Sequence, residues 1–391
     1  MKILLVNDHS TLAGGAEISI LILRNELRLR GHDVRVFASS AQEGEGERFA
    51  DYECFGTTSG FRTLLQSFNP FAFWRLGQVL AEFKPDVVDV KLFLTQLSPL
   101  ILPALRNVPA LYDVNWLRPI CPLGTKMLPD RTLCRAPAGW VCYQSRCLPM
   151  RDWIPLMLQM KLWRRWRRTF KLVVAHSEAV KRRLLEEGIG PVEVVPHGIP
   201  EAAPRPPLSE PPTVAFAGRL VPEKGIDILV RAFAKVREEI PSARLLVAGE
   251  GKERENLEKL ARDLKLGPAA SFLGKLTREE MEQAFAPAWV QAVPSIWEEP
   301  FGIVAVEAMM RGTAVVASNS GGLAEIVQDE RSGILVPPGD PDSLAQALIR
   351  PLQNRELAEG MGRKGREIAQ ARFCVSNFVD RWIQLYEKLL Q

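Results

Sequence analysis

The chain has 391 residues, of which 47% are hydrophobic and 25% charged. At roughly 150 residues per domain this predicts two globular domains and excludes disorder, collagen and coiled coil as whole-chain descriptions. Lys and Arg number 50 against 46 Asp and Glu, a net charge of +4, which is too balanced for a protein that coats nucleic acid.

The opening MKILLVNDHS has only four consecutive apolar residues, Ile3 to Val6, too few for the apolar region of a signal peptide. The most apolar longer stretch, residues 90–111, is broken by Pro99, Pro103, Pro109, Lys91 and Arg106, so no spanning helix is predicted and a cytoplasmic location is expected. Residues 3–6 read as a buried parallel strand. A glycine-rich turn over residues 11–17 follows. Ile18, Leu21, Ile22 and Leu29 then recur at helical spacing until Gly31, and Val34 to Phe37 starts a second strand. This is a βαβ unit. The pattern restarts after the proline-rich AAPRPPLSEPP, so residues 201–212 are expected to be a linker between domains over 1–200 and 213–375. Strands are predicted at 213–217, 243–248, 270–273, 290–293, 314–317 and 333–336, with helical patterns between. Two such halves imply an α/β protein of two doubly wound Rossmann-like domains facing a cleft. The last helix, 377–390, carries Phe378, Trp382, Leu385 and Leu389 on one face, a face expected to pack back on the first domain.

Several loops that follow strands offer what a diphosphate needs. Gly218 to Gly225 places Arg219 and Lys224 five apart around a turn; Arg holds phosphate oxygens bidentately and Lys acts as a point charge. In Pro294 to Glu307, Pro300 suits the first turn of a helix. The amides of Phe301, Gly302 and Ile303 would then be unpaired donors at an anion-binding terminus. Eight residues at about 100° each would leave Glu299 and Glu307 only ~80° apart, facing one ligand at two depths. Ser318 to Gly322 and Gly14-Gly15 repeat the amide-donor logic.

These motifs together resemble the retaining nucleotide-sugar glycosyltransferases of family 4, with the two-domain GT-B fold. The chain carries GGAE at 14–17, GRLVPEKG at 218–225, EPFGIVAVE at 299–307, SGGLAEIV at 320–327 and SGILVPPGD at 332–340. The resemblance implies a transferase that moves a sugar from a nucleoside-diphosphate sugar to an acceptor hydroxyl in polysaccharide or glycolipid assembly. It implies that Arg219 and Lys224 bind and stabilise the leaving diphosphate and that Glu299 bonds hydroxyls of the transferred sugar. Glu307 would hold the ribose. Phe301, Gly302 and Ile303 would complete the phosphate cradle, with Gly15 closing it from the first domain. The base would lie near Gly249 to Gly251 and Gly274-Lys275. It further implies catalysis without a metal cofactor. Asp340-Pro341-Asp342 is no metal motif, since Asp342 reads as a helix cap. A non-catalytic nucleotide-sugar binder and a GT-B epimerase are the rival readings.

Four features depart from the family pattern or lie outside it. Where many relatives carry His-Asp, this chain has Tyr112-Asp113, a pair expected on the acceptor or sugar side. His197 reads as a hinge-loop residue. Cys121, Cys134, Cys142 and Cys147 fall within the insertion 118–150 and are a candidate structural zinc set, against reduced buried thiols. Residues 151–171 mix Trp153, Trp163 and Trp166 with seven cations. They read as a basic amphipathic helix that can lie on an anionic membrane, which would put the protein at the inner face of the membrane and favour a lipid-linked acceptor.

Overall fold

The computed structural model describes residues 1–11, 14–41, 48–60 and 62–391; Leu12 and Ala13 of the glycine-rich turn lie outside them. The chain divides into two compact units, residues 1–198 with 375–391, and residues 199–374.

The first unit is built on β1 (Lys2–His9), β2 (Asp33–Ser39), β3 (Tyr52–Cys54), β4 (Val87–Val90), β5 (Ala110–Val114), β6 (Leu172–Ala175) and β7 (Val192–Val194), in the order β3-β2-β1-β4-β5-β6-β7. The second is built on β8 (Thr213–Ala217), β9 (Arg244–Ala248), β10 (Ala270–Gly274), β11 (Val290–Val293), β12 (Ala314–Ser318) and β13 (Gly333–Val336), in the order β10-β9-β8-β11-β12-β13. Every pairing between these strands is parallel. Both faces of each sheet are covered, so the strands are short aliphatic runs; β4, β5, β6, β8, β11 and β12 are buried at every residue. Each sheet reverses its winding once, between β1 and β4 and between β8 and β11. Loops leaving the carboxyl ends of such strands part there and leave room for a ligand.

The chain enters the second unit after Gly198 and returns at Val375. Residues 201–212 are a correction to the expected linker. Leu208 is buried in the second unit's core, Trp289 Nε1 donates to Ser209 O at 2.8 Å, and Arg205 N donates to Arg311 O at 2.8 Å. Proline lacks an N–H, so the stretch runs along the unit without pairing in a sheet. Asp340, not Asp342, caps helix Pro341–Gln353, accepting from the amides of Asp342 and Ser343.

Helix Val375–Leu390 belongs to the first unit, where Phe378, Trp382, Leu385 and Leu389 are buried with Ile3, Leu5 and Leu23. Beside it lies a buried ionic cluster. Lys91 Nζ is 2.8 Å from both Asp89 Oδ2 and Asp113 Oδ2, and 3.6 Å from the Trp382 ring centre. Tyr386 Oη donates to Asp89 Oδ2 at 2.6 Å, and His176 Nε2 lies 2.8 Å from Asp113 Oδ1. Burial and the neighbouring Asp113 push the Asp89 carboxyl up to about 6 against the pull of Lys91. Asp113 is buried as well, yet His176 and Lys91 outweigh that and hold it well below the usual carboxylate range. His197 lies in the segment where the chain passes from the first unit to the second, and it is buried. Its ring stacks on His176 at 3.5 Å, and its Nδ1 is 3.0 Å from Ser19 Oγ. Burial, then the charge of His176, hold it well below the ordinary histidine value.

Lys91→Met leaves two buried carboxylates without their shared cation; denaturant titration should show a loss of about 3–5 kcal/mol. A loss under about 1 kcal/mol would mean that the cluster is not a structural linchpin. His197 stays neutral in the folded state while the unfolded chain takes up a proton below about pH 6.5, so its contribution is present above that value and lost as pH falls. Between pH 7 and 5.5 the protein should lose about 1 kcal/mol more than the His197→Asn variant; equal losses would contradict this.

Candidate functional site

In the second unit, loops from the carboxyl ends of β8, β11 and β12 lie backbone against backbone. Gly225 has φ +66°, and a Cβ there would stand 2.1 Å from Pro294 O; Ile296 N donates to Glu223 O at 3.0 Å. Gly321 has φ +56°, and a Cβ there would stand 2.3 Å from Glu299 O; Gly322 N donates to the same oxygen at 2.7 Å. Glycine is required because no side chain fits between the loops. The amide of Gly322 is therefore not an open anion donor, as its motif suggested.

This interlocking brings Lys224 to Glu299, 75 residues away. Lys224 Nζ is 2.9 Å from each carboxylate oxygen. Ser295 Oγ and Trp297 Nε1 donate to Glu299 Oε2 at 2.8 and 2.9 Å. Oε2 thus receives three donors and Oε1 one. A carboxylate has about four lone-pair sites, so Oε1 is the oxygen with capacity left for a ligand hydroxyl. Glu299 is buried, which opposes ionisation, but the charge and hydrogen bonds of Lys224, Ser295 and Trp297 prevail and its pKa lies below the ordinary value. Ser295 and Trp297 were not assigned roles from the sequence. Their only signal is their place in the same strand-exit segment as Glu299. Arg219 sits nearby in sequence with a side chain 61% exposed, 3.5 Å from Glu223. A bidentate anion ligand is therefore still available to solvent.

The helix after β11 is Ile303–Arg311, with Gly302 as its N-cap at φ +117°. Pro300 and Phe301 precede it, which corrects the expected start. The left-handed backbone at Gly302 breaks the helical path that Pro300 would otherwise begin. Ile303 and Val304 are the first-turn amides without an intrahelical carbonyl. Glu299 lies outside the helix, so the ~80° relation to Glu307 does not hold. Lys224, Ser295 and Trp297 place it instead. Glu307 is half-buried on the helix. Burial raises its pKa against the pull of Arg311 and Arg278. Gly249 N donates to Gly274 O at 2.7 Å, so the two segments expected near the base are neighbours.

In the first unit, Gly15 is exposed and opens helix Gly15–Leu29. Tyr112 is corrected: it is a core residue, 1% exposed, its ring 5.1 to 5.5 Å from those of Phe93, Trp163 and Phe170. It faces no sugar. Asp113 is buried in the ionic cluster and likewise closed to an acceptor. A feature with no assigned role in the sequence reading stands at the carboxyl ends of β1 and β4. There the Asp8 carboxylate accepts from Thr95 N, Thr95 Oγ1, Gln96 N and Leu97 N at 2.7 to 2.9 Å. Glu17 of the GGAE segment is buried near Asn7 and His9, its pKa raised by burial against the pull of His9 and Asn7.

Cys121, Cys134, Cys142 and Cys147 are all free thiols. Burial, then the neighbouring cysteines, push Cys147 up to about 11. Among the described residues no three His, Cys, Asp or Glu side chains are disposed to hold a metal ion. Residues 150–166 form a helix whose tryptophans turn inward: Trp163 is fully buried, and Trp153 and Trp166 pack on the first unit's core. Its expected membrane face is therefore not made of tryptophan. Among the described residues no helix is long and apolar enough to cross a membrane.

Two family models match successive parts of the chain. "Glycosyltransferase Family 4" covers residues 13–202 and "Glycosyl transferases group 1" covers 200–368. An uncharacterized glycosyltransferase of Methanocaldococcus jannaschii is 36% identical over 174 residues, 44% of each chain. The GDP-mannose-dependent alpha-(1-6)-phosphatidylinositol monomannoside mannosyltransferase of Mycobacterium tuberculosis is 37% identical over 46% of this chain and 47% of its own. The matched segment thus spans less than half of these relatives. Among solved structures, sucrose-phosphate synthase of Thermosynechococcus elongatus superposes with TM-score 0.76 at 25% identity, covering 99% of this chain and 98% of that one. HepE of Anabaena with UDP-glucose superposes at 0.73 with 20% identity, covering 99% and 100%.

Proposed function

The chain belongs to the family 4, group 1 glycosyltransferases and has their GT-B fold, and on that premise we propose that it moves a sugar from a nucleoside-diphosphate sugar to an acceptor hydroxyl with retention at the anomeric carbon. The observation that carries this reading is the Lys224–Glu299 pair at the switch point of the second sheet. It sets a cation for a leaving diphosphate next to a carboxylate oxygen with lone-pair capacity left for a sugar hydroxyl. One relative is named for a GDP-sugar and one solved neighbour holds a UDP-sugar, which supports the donor class.

Lys224 and the exposed Arg219 neutralise the diphosphate as charge develops on it. The first-turn amides of Ile303 and Val304 add donors at a helix terminus. Glu299 Oε1 accepts from a hydroxyl of the transferred sugar, and Glu307 from the ribose. The bond from the anomeric carbon to the phosphate oxygen breaks, and the bond to the acceptor oxygen forms on the same face. The acceptor's proton goes to the departing phosphate oxygen. No step calls for a metal, because protein cations supply the positive charge. The acceptor is a glycan or a lipid-linked sugar, met in the cytoplasm at the inner face of a membrane.

The reading is tested by incubating candidate donors with acceptors and following the anomeric configuration of the product by NMR. Lys224→Ala and Glu307→Gln should each lower transfer by more than about tenfold, or ~1.4 kcal/mol; Glu307→Gln should leave the melting temperature little changed, whereas Lys224→Ala should lower it, because the buried Glu299 carboxylate loses its cation. Unchanged turnover, or an inverted product, contradicts the assignment.

A further inference from the structure

The surface of the first unit carries a set of exposed apolar side chains that are left uncovered among the described residues. Helix Arg62–Ser67 lies against helix Met150–Trp166: Ser67 Oγ donates to Pro155 O at 2.7 Å and Thr63 Oγ1 to Asp152 Oδ1 at 3.2 Å. Helix Pro70–Phe83 follows directly. These three helices and the turn at Phe68 expose Leu64, Phe68, Phe71, Trp74, Ile154 and Leu158, with Trp74 66% and Ile154 59% accessible. Phe55, also exposed, meets the Phe71 ring at 5.5 Å. Scattered exposed apolar residues are ordinary, but so many large ones gathered on neighbouring segments mark an interaction surface.

Charge decides what the surface meets. The exposed stripe of helix Met150–Trp166 reads Arg151, Ile154, Leu158, Lys161 and Arg165, at spacings of three and four. Residues 54–81 contain no acid, and residues 131–177 hold ten Lys and Arg against Asp152 alone. Apolar side chains are therefore flanked by cations along one helix face, and the acids that would balance them are missing from these segments. That combination matches a layer with anionic headgroups over hydrocarbon. This helix carries apolar residues on both faces, and on the outer one they alternate with cations. The inner face, with Leu156, Met160 and Trp163, is spent on the core, and the outer one is left for the bilayer.

We infer that the face made by helices Arg62–Ser67, Pro70–Phe83 and Met150–Trp166 docks the protein on an anionic lipid bilayer, with Phe71, Trp74, Ile154 and Leu158 entering the headgroup boundary and Lys161 and Arg165 pairing with lipid phosphates. This deepens the membrane location proposed above, but its test involves no sugar transfer, so either reading can fail alone.

The experiment is co-sedimentation of the full chain with phosphatidylcholine vesicles, with and without about 30% phosphatidylglycerol, at low and high salt. The protein should pellet with the anionic vesicles, far less with neutral ones, and less at high salt. Phe71→Ser with Trp74→Ser, and separately Ile154→Ser with Leu158→Ser, should each weaken partitioning more than about tenfold, because apolar area is lost. Lys161→Glu with Arg165→Glu should do likewise. All replaced side chains are exposed, so melting temperatures should be unchanged, and having apolar pairs on two separate elements guards against a misfolded variant. The inference is overturned if the chain stays in the supernatant with anionic vesicles, if neutral vesicles bind it equally, or if neither apolar pair affects binding.

Discussion

One buried carboxylate, that of Glu299, organises the working end of the second unit. It is held by Lys224 from the loop after β8 and by Ser295 and Trp297 from the loop after β11. A buried charge is tolerated only when paired and hydrogen-bonded, and losing one partner leaves the other exposed to the full desolvation cost. The loops must therefore stay in register. Gly225 and Gly321 make that possible by letting backbones approach where a Cβ would collide. The cation proposed for the diphosphate and the carboxylate proposed for the sugar are thus fixed in relation to each other by the fold itself, which is what electrostatic stabilisation of a leaving group requires.

The first unit uses the same physics for a different end. Lys91, Asp89, Asp113 and His176 form a closed ionic cluster under helix Val375–Leu390, with Tyr386 bonded into it. The cluster joins β4, β5 and β6 to the chain's last helix. Its members are closed to solvent, so its role is to hold elements together. At the ends of β1 and β4 a second buried carboxylate, that of Asp8, gathers the 95–97 loop.

Much of this was legible in the sequence. The aliphatic runs mark the strands because parallel strands are buried on both faces. Arg219, Lys224, Glu299 and Glu307 stood out because cations, carboxylates and glycines cluster at strand exits. What was missed depends on contacts distant in sequence. Tyr112 looked like a sugar-side residue until alternation along β5 put it among Phe93, Trp163 and Phe170. Pro300 signalled a helix start that the left-handed Gly302 moves to Ile303. The proline-rich 201–212 read as a linker, yet Leu208 anchors it in the second core. The tryptophans of 150–166 looked like a membrane face, but a helix apolar on both sides does not reveal from periodicity which side is inside.

The measurement that bears most directly on this account is calorimetric titration of nucleoside diphosphates and their sugar conjugates into the protein and into Glu299→Gln. The account predicts that one base gives micromolar binding, and that the substitution weakens the sugar conjugate more than the bare diphosphate, because only the conjugate reaches Oε1. Binding of both ligands unaffected by the substitution, or no binding across the panel by folded protein, would contradict it.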